Sequence, residues 1–159
     1  MPSPLVECIP NFSEARRPEV VEAILAAINA VPGVHVLDRH SDLDHNRTVV
    51  TFVGSPAAVE EAAFQGIARA AQLIDLNLHT GAHPRMGATD VVPFVPISDI
   101  TMQDCVETYR ASGETLMQGV HLNNQFIGTG YNVQIRMLGD FGSSIYTIHS
   151  VEDTAASNS

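Results

Sequence analysis

Hydrophobic and polar positions along this chain alternate between strand-like and helix-like periods, and the switches divide it into elements. "LVECIP" (5–10) is a short apolar run that Pro10 closes, and it reads as a first strand. Polar "NFSEARR" follows, with Ser13 as the expected helix N-cap. "PEVVEAILAAINAV" then sets Val21, Ile24, Leu25 and Ile28 at helical spacing, with Pro18 in the first turn, where a missing N–H costs nothing. "PG" at 32–33 ends this helix, and "VHVLD" (34–38) reads as a second strand. "RTVVTFVG" (47–54) is β-branched and bounded by Gly54, which predicts a third strand. Ser55 as N-cap and Pro56 behind it open an alanine-rich amphipathic helix. "TDVVPFVPI" (89–97) is the fourth strand, and its two prolines predict an edge or a terminus. Ser98 or Thr101 caps a further helix over about 102–117.

The order β-α-β-β-α-β with an added helix predicts an α+β fold of the split βαβ, ferredoxin-like kind. Its expected form is a four-stranded antiparallel sheet with two helices on one face. Beyond Gly119 glycines recur among short runs such as "YNVQIRML" and "SSIYTIHS". The folded domain is therefore expected over 1–119, with 120–150 an irregular or β-like extension, either hairpin or extended arm, and polar 151–159 a disordered tail.

Composition narrows the function classes. A chain of 159 residues suits one domain, and 45% apolar against 16% charged residues marks it as folded. A net charge of −10 excludes nucleic acid as a partner, since phosphate neutralisation needs clustered Lys and Arg. No run of about 18 apolar residues exists to enter a membrane. "MPSPLVECIP" lacks the basic start and long apolar core of a signal peptide, so a cytoplasmic location is expected. Cys8 and Cys105 form no CxxC pair, and Cys8 reads as a buried thiol.

Two loops hold nearly all the reactive side chains. The first, "LDRHSDLDHNRT" (37–48), carries Asp38, His40, Asp42, Asp44, His45, Asn46 and Arg47. Its carboxylates and imidazoles suit a divalent metal. Against this stands a solvated acidic hairpin in which Asp and Asn bond their own backbone, with Asn46 as turn former. The hairpin reading is preferred and no metal is expected, because no helical i, i+4 pair or recognised ligand spacing occurs. The second loop, "HTGAHPRMGATD" (79–90), sets His83 before Pro84, which restricts it to extended geometry, between Gly81 and Gly87 and beside the fixed cation of Arg85. An imidazole with an ordinary pKa of ~6.5 suits general acid–base work, and Asp90 is near enough in sequence to raise that value. The competing reading is a structural histidine bonded to a carbonyl. His79 is expected at the C-cap of the second helix. His35 and His121 read as structural or exposed. Arg16 and Arg17 read as a solvated face, with a nearby carboxylate as the alternative. The second loop is long enough to cross toward the sheet and meet the first.

"VECIPNFSE" (6–14), "HNRTVVTFVG" (45–54) and "HTGAHPRMGATDVVPFVP" (79–96) together resemble the N-terminal subdomain of the formiminotransferase family, in family order and spacing over roughly 4–117. The resemblance implies transfer of a formimino group from N-formimino-L-glutamate to tetrahydrofolate as co-substrate, without metal. It implies that His83 is the catalytic acid–base group. Arg47 and Arg85 are the candidates for holding substrate carboxylates, a task suited to bidentate guanidinium, and His40 and Asn11 complete the expected substrate-binding set. Two departures stand out. Ala15 replaces the glycine usual after "NFSE", and the chain is too short for the second subdomain with which the family encloses folate. The functions in competition are therefore a transferase half, completed by a homo-oligomer or partner subunit, and a non-catalytic ligand-binding or interaction module. A metal-dependent hydrolase on the Asp/His hairpin is a third, weaker alternative.

Overall fold

In the computed structural model of this chain, residues 3–82 and 87–108 are described in full and 131–138 and 143–150 by their backbone. Strand β1 (Leu5–Cys8) is followed by the two-residue β2 (Asn11–Phe12) and helix α1 (Pro18–Asn29). Strands β3 (His35–Asp42) and β4 (Arg47–Gly54) form a hairpin, and α2 (Pro56–Leu73) leads on to β5 (Val91–Ser98). A helical segment occupies 102–108, and β6 (Tyr131–Leu138) and β7 (Ser143–Ser150) close the order.

The four central strands lie in the order β3-β4-β1-β5, all antiparallel. This is the split βαβ arrangement predicted from the element order. The sheet extends beyond β5 through β7 to β6, a hairpin in register from Tyr131 opposite Ser150 to Leu138 opposite Ser143. Because β7 pairs with β5, β5 is an interior strand, and the edge position expected from its prolines is corrected. Pro93 faces Ile9, one residue past the end of β1, and keeps one bond there, its carbonyl accepting from the Ile9 N–H at 3.1 Å.

Alternation of burial sorts the strand residues by face. Val6, Cys8, Phe12, Val50, Phe52, Val92 and Phe94 lie under the helices with at most 2% exposure, which is the period-2 signature of a sheet covered on one side. Five residues of α1 and six of α2, among them Ile24, Ile28, Ala62 and Ala63, close the core from above. Cys8 is buried as expected, and desolvation pushes its thiol well above the usual range. The described residues contain no helix long and apolar enough to cross a membrane.

Local boundaries differ from expectation at the end of the first strand and at the start of α1. The first strand stops at Cys8, since Pro10 has no N–H to donate, yet Val50 N–H still bonds the Pro10 carbonyl at 3.1 Å and pairing resumes at Asn11. Ser13 does not cap α1; its hydroxyl donates to the Gly87 carbonyl at 2.7 Å. The N-cap is Arg17, whose side chain makes no capping bond. Thr101, one of the two candidates, does cap its helix, accepting from Asp104 N at 3.1 Å while the Asp104 carboxylate accepts from Thr101 N at 2.9 Å. The end predicted for that helix, and the tail 151–159, lie outside the described residues.

Candidate functional site

The first reactive loop is mostly strand. β3 continues to Asp42, so Asp38, His40 and Asp42 stand on an extended edge strand, and only 43–46 form the turn. Asn46 makes that turn with φ of 50°, in the left-handed region asparagine tolerates. Among the described residues no three His, Cys, Asp or Glu side chains gather as a metal-ligand set. The carboxylate of Asp42 instead caps the turn, accepting from Asp44 N at 2.9 Å and His45 N at 3.0 Å, with its second oxygen 2.6 Å from His45 Nδ1. These bonds, the His45 backbone N–H foremost, hold the carboxyl below its ordinary pKa.

Register places three of the expected substrate residues on one face. Asn11 and His40 both pair with Val49 across β4, and Arg47 stands two residues along from Val49. Directly paired residues in an antiparallel sheet share a face, as do residues i and i+2 of a strand. Asn11, Arg47 and Val49 are half-buried and His40 is exposed, on the side of the sheet away from the helices. Among the described residues Arg47 makes no ion pair, although Asp42 stands opposite it in register, because that carboxylate is taken up by the turn.

The two loops do meet. Ala82 N donates to Asp44 O at 3.0 Å, and Asn46 Nδ2 donates to Thr80 O at 3.1 Å. Asn46 Oδ1 accepts from Ala15 N at 2.8 Å and more weakly from Arg16 N at 3.3 Å. One asparagine thus ties "NFSEA", the hairpin turn and the stem of the second loop together. His79 is not a helix C-cap, since α2 ends at Leu73 with Ile74 as its cap. It is buried, 8% exposed, with Nε2 3.2 Å from Asn46 O. His83 and Arg85 lie outside the described residues, 83–86, but both flanking stems are anchored. On the far side Gly87 N donates to Asp90 Oδ1 at 2.9 Å and Ser13 N to Ala88 O at 2.9 Å.

Glu14 is the residue that sequence reasoning passed over. It is 3% exposed, and its Oε1 accepts from the backbone N–H groups of Ala15, Arg16 and Arg17 at 2.8–3.0 Å. Its Oε2 accepts from Arg17 Nε at 2.6 Å. The signal available in the sequence was a glutamate just ahead of a Pro-initiated helix, where the N–H groups of the lead-in turn, residues 15–17, precede the helix and need an acceptor. Burial works to raise the pKa of Glu14, but the Arg17 N–H, the Arg17 guanidinium and the Arg16 N–H outweigh it and lower the value. A carboxyl with a folded pKa below its unfolded one contributes stability that is present above the unfolded value and lost as pH falls through the folded one. Acid denaturation of Glu14→Gln is expected to show a weaker pH dependence below about pH 4.3 than the parent, with stability near pH 7 lower by about 1–2 kcal/mol. Urea titrations at pH 3 to 7 read both.

Comparison with known proteins adds to this geometry. Residues 5–136 match the sequence profile of the formiminotransferase domain, N-terminal subdomain. Glutamate formimidoyltransferase of Streptococcus pyogenes serotype M1 is 51% identical over 112 residues, covering 70% of this chain and 38% of that protein. The enzyme of the same name from Thermoplasma acidophilum is 49% identical over 110 residues, covering 69% of this chain and 36% of its own. Mouse formimidoyltransferase-cyclodeaminase is 47% identical over 120 residues, 76% of this chain and 22% of that protein. The chain spans well under half the length of each.

Proposed function

Because this chain belongs to the family of the formiminotransferase N-terminal subdomain, we propose that it supplies one wall of a folate-dependent formimino-transfer site. The reaction moves the formimino carbon from the nitrogen of N-formimino-L-glutamate to N5 of tetrahydrofolate. N5 attacks that carbon, the bond to the glutamate nitrogen breaks, and glutamate leaves. His83 takes the proton from N5 and returns it to the departing nitrogen, so a single imidazole serves as base and then acid. An amine nucleophile and an amine leaving group both need such a shuttle near neutral pH. Arg47 and Arg85 hold carboxylates of the substrates, with Asn11 and His40 beside Arg47. The cleft is closed by a second copy or a partner subunit, in a cytoplasmic setting.

One observation carries the reading. Asn11, His40 and Arg47, drawn from three strands, share the face of the sheet away from the helices, and Arg47 has no carboxylate partner there among the described residues. A half-buried guanidinium without an internal counter-ion is suited to an anionic ligand. Calorimetry of the full chain with tetrahydrofolate and with N-formimino-L-glutamate, beside an assay of glutamate release, tests it. Saturable binding of one substrate, weakened about tenfold or more in Arg47→Ala, is the expected result. Binding without turnover at any concentration of the chain identifies a non-catalytic module, and absence of binding to either compound removes the proposal.

A further inference from the structure

A cavity of about 300 Å³ opens where α1 begins and the chain leaves α2, built from residues that the transfer reaction does not use. Its size is at the small end for ligand sites. Arg16 stands in its lining in an unusual electrostatic position. The guanidinium is held by neutral oxygens, with Nε donating to Leu43 O at 2.9 Å and Nη1 to Thr80 O at 3.1 Å and Thr80 Oγ1 at 3.2 Å. Carbonyl and hydroxyl groups orient a guanidinium without neutralising it. Among the described residues no carboxylate pairs with Arg16, whereas the neighbouring Arg17 is paired with Glu14. Nη2 lies 3.4 Å from Asp44 O, again a neutral acceptor, so in a chain of net charge −10 this cation stands in the cavity lining with its charge unpaired among the described residues.

The same lining holds an anion without a cation. Asp75 shapes its own turn, with Oδ1 accepting from Asn77 N and Nδ2 at 2.9 Å each, and among the described residues no Lys, Arg or His forms an ion pair with it. The same lining carries apolar surface, Ile74 buried and Leu78 81% exposed. An exposed leucine at a cavity mouth gains by being covered. The remaining lining charges cancel as the Arg17–Glu14 pair.

We infer that this cavity binds a small aliphatic α-amino acid as its zwitterion, the carboxylate on Arg16, the ammonium toward Asp75, and the side chain over Ile74 and Leu78. A simple anion matches only one of these features and brings a negative charge toward Asp75. The zwitterion adds no net charge to an acidic protein. This site is independent of the transfer reaction and uses none of its residues.

Titrating L-leucine into the isotopically labelled full chain tests the inference by amide chemical shifts. Saturable shifts with a Kd on the order of millimolar, centred on Arg16, Asp75, Leu78 and Thr80, are expected. 4-Methylpentanoate, which lacks the ammonium, and isopentylamine, which lacks the carboxylate, are each expected to bind about tenfold more weakly or worse. Arg16→Gln and Asp75→Asn are expected to weaken L-leucine by a similar factor, and Leu78→Ser by a few-fold. Arg16 also ties two turns, so Asp75→Asn and Leu78→Ser carry the test if Arg16→Gln unfolds. No saturation at tens of millimolar, equal binding of the pentanoate, or indifference to Asp75→Asn and Leu78→Ser together overturns it.

Discussion

Replacing His83 with alanine is expected to lower formimino transfer by about 10²–10⁴-fold, the range over which a positioned acid–base group acts. The expectation rests on chemistry and on the anchoring of the loop. Both bond-making and bond-breaking nitrogens must exchange a proton near neutral pH, and an imidazole is the side chain whose ordinary pKa, ~6.5, lies there. The segment that carries it is bracketed by stems pinned through Ala82 N to Asp44 O and Gly87 N to Asp90 Oδ1, which limits where its ends can lie. The pH profile separates this role from a structural one. In the parent, kcat/KM is expected to fall on the acid side, and in His83→Ala that limb is expected to disappear along with most of the rate. Equal rates in the two chains, or a variant that keeps the acid limb, would take the shuttle away from His83.

A second large effect is expected from Gly81→Ala. A Cβ at this position would lie 2.5 Å from His45 O and 3.1 Å from His45 C, both backbone atoms. The obstacle is no flexible side chain, and it cannot step aside cheaply: the turn that holds it is fixed by the Asp42 cap and by the bonds of Asn46. Overpacking of this kind costs about 1–3 kcal/mol, and the stiffness of the turn places Gly81→Ala toward the upper end. Relief comes by moving the 79–82 stem away from the hairpin, which displaces the reactive loop. A misplacement of about 1 Å costs on the order of 10²-fold in rate, so activity should fall further than stability does. Thermal unfolding beside single-turnover transfer would reveal that disproportion. A variant with parent-like Tm and rate would show that the stem and hairpin are not coupled to the chemistry.

Much of the fold was legible in the pattern of apolar positions. β4 and the start of α2 fell where alternation, Gly54, Ser55 and Pro56 put them, because a β-branched run and a Ser-Pro start impose their geometry locally. The element order was enough for the ferredoxin-like arrangement, since an antiparallel sheet with two crossing helices buries those two amphipathic faces in few other ways. Where local signals competed with long-range pairing, the pairing prevailed. Polar β3 was expected to end at Asp38 but runs to Asp42, because an edge strand needs only the β4 ladder and not a buried face. Prolines that argued for an edge sit inside the sheet, where β7 covers the far side of β5.

The candidate site divides in the same way. Residue type and neighbours singled out His83, Arg85 and Asn46, since proton exchange, a fixed cation and a tight turn each call for particular side chains, and the family resemblance added Arg47 and the carboxylate-binding role expected of both arginines. Which of these come together is another matter. The shared face of Asn11, His40 and Arg47 depends on two registers, that of the β3–β4 hairpin and that between β2 and β4, which are more than thirty residues apart in the chain, and a shift of one residue would turn any of them to the other side. The latch of Asn46 and the burial of Glu14 and His79 likewise depend on which segments pack against each other. Composition and local pattern determine what each stretch of this chain can become; the free energy of closing the core decides which stretches meet, and that sum over distant contacts is written in no single stretch.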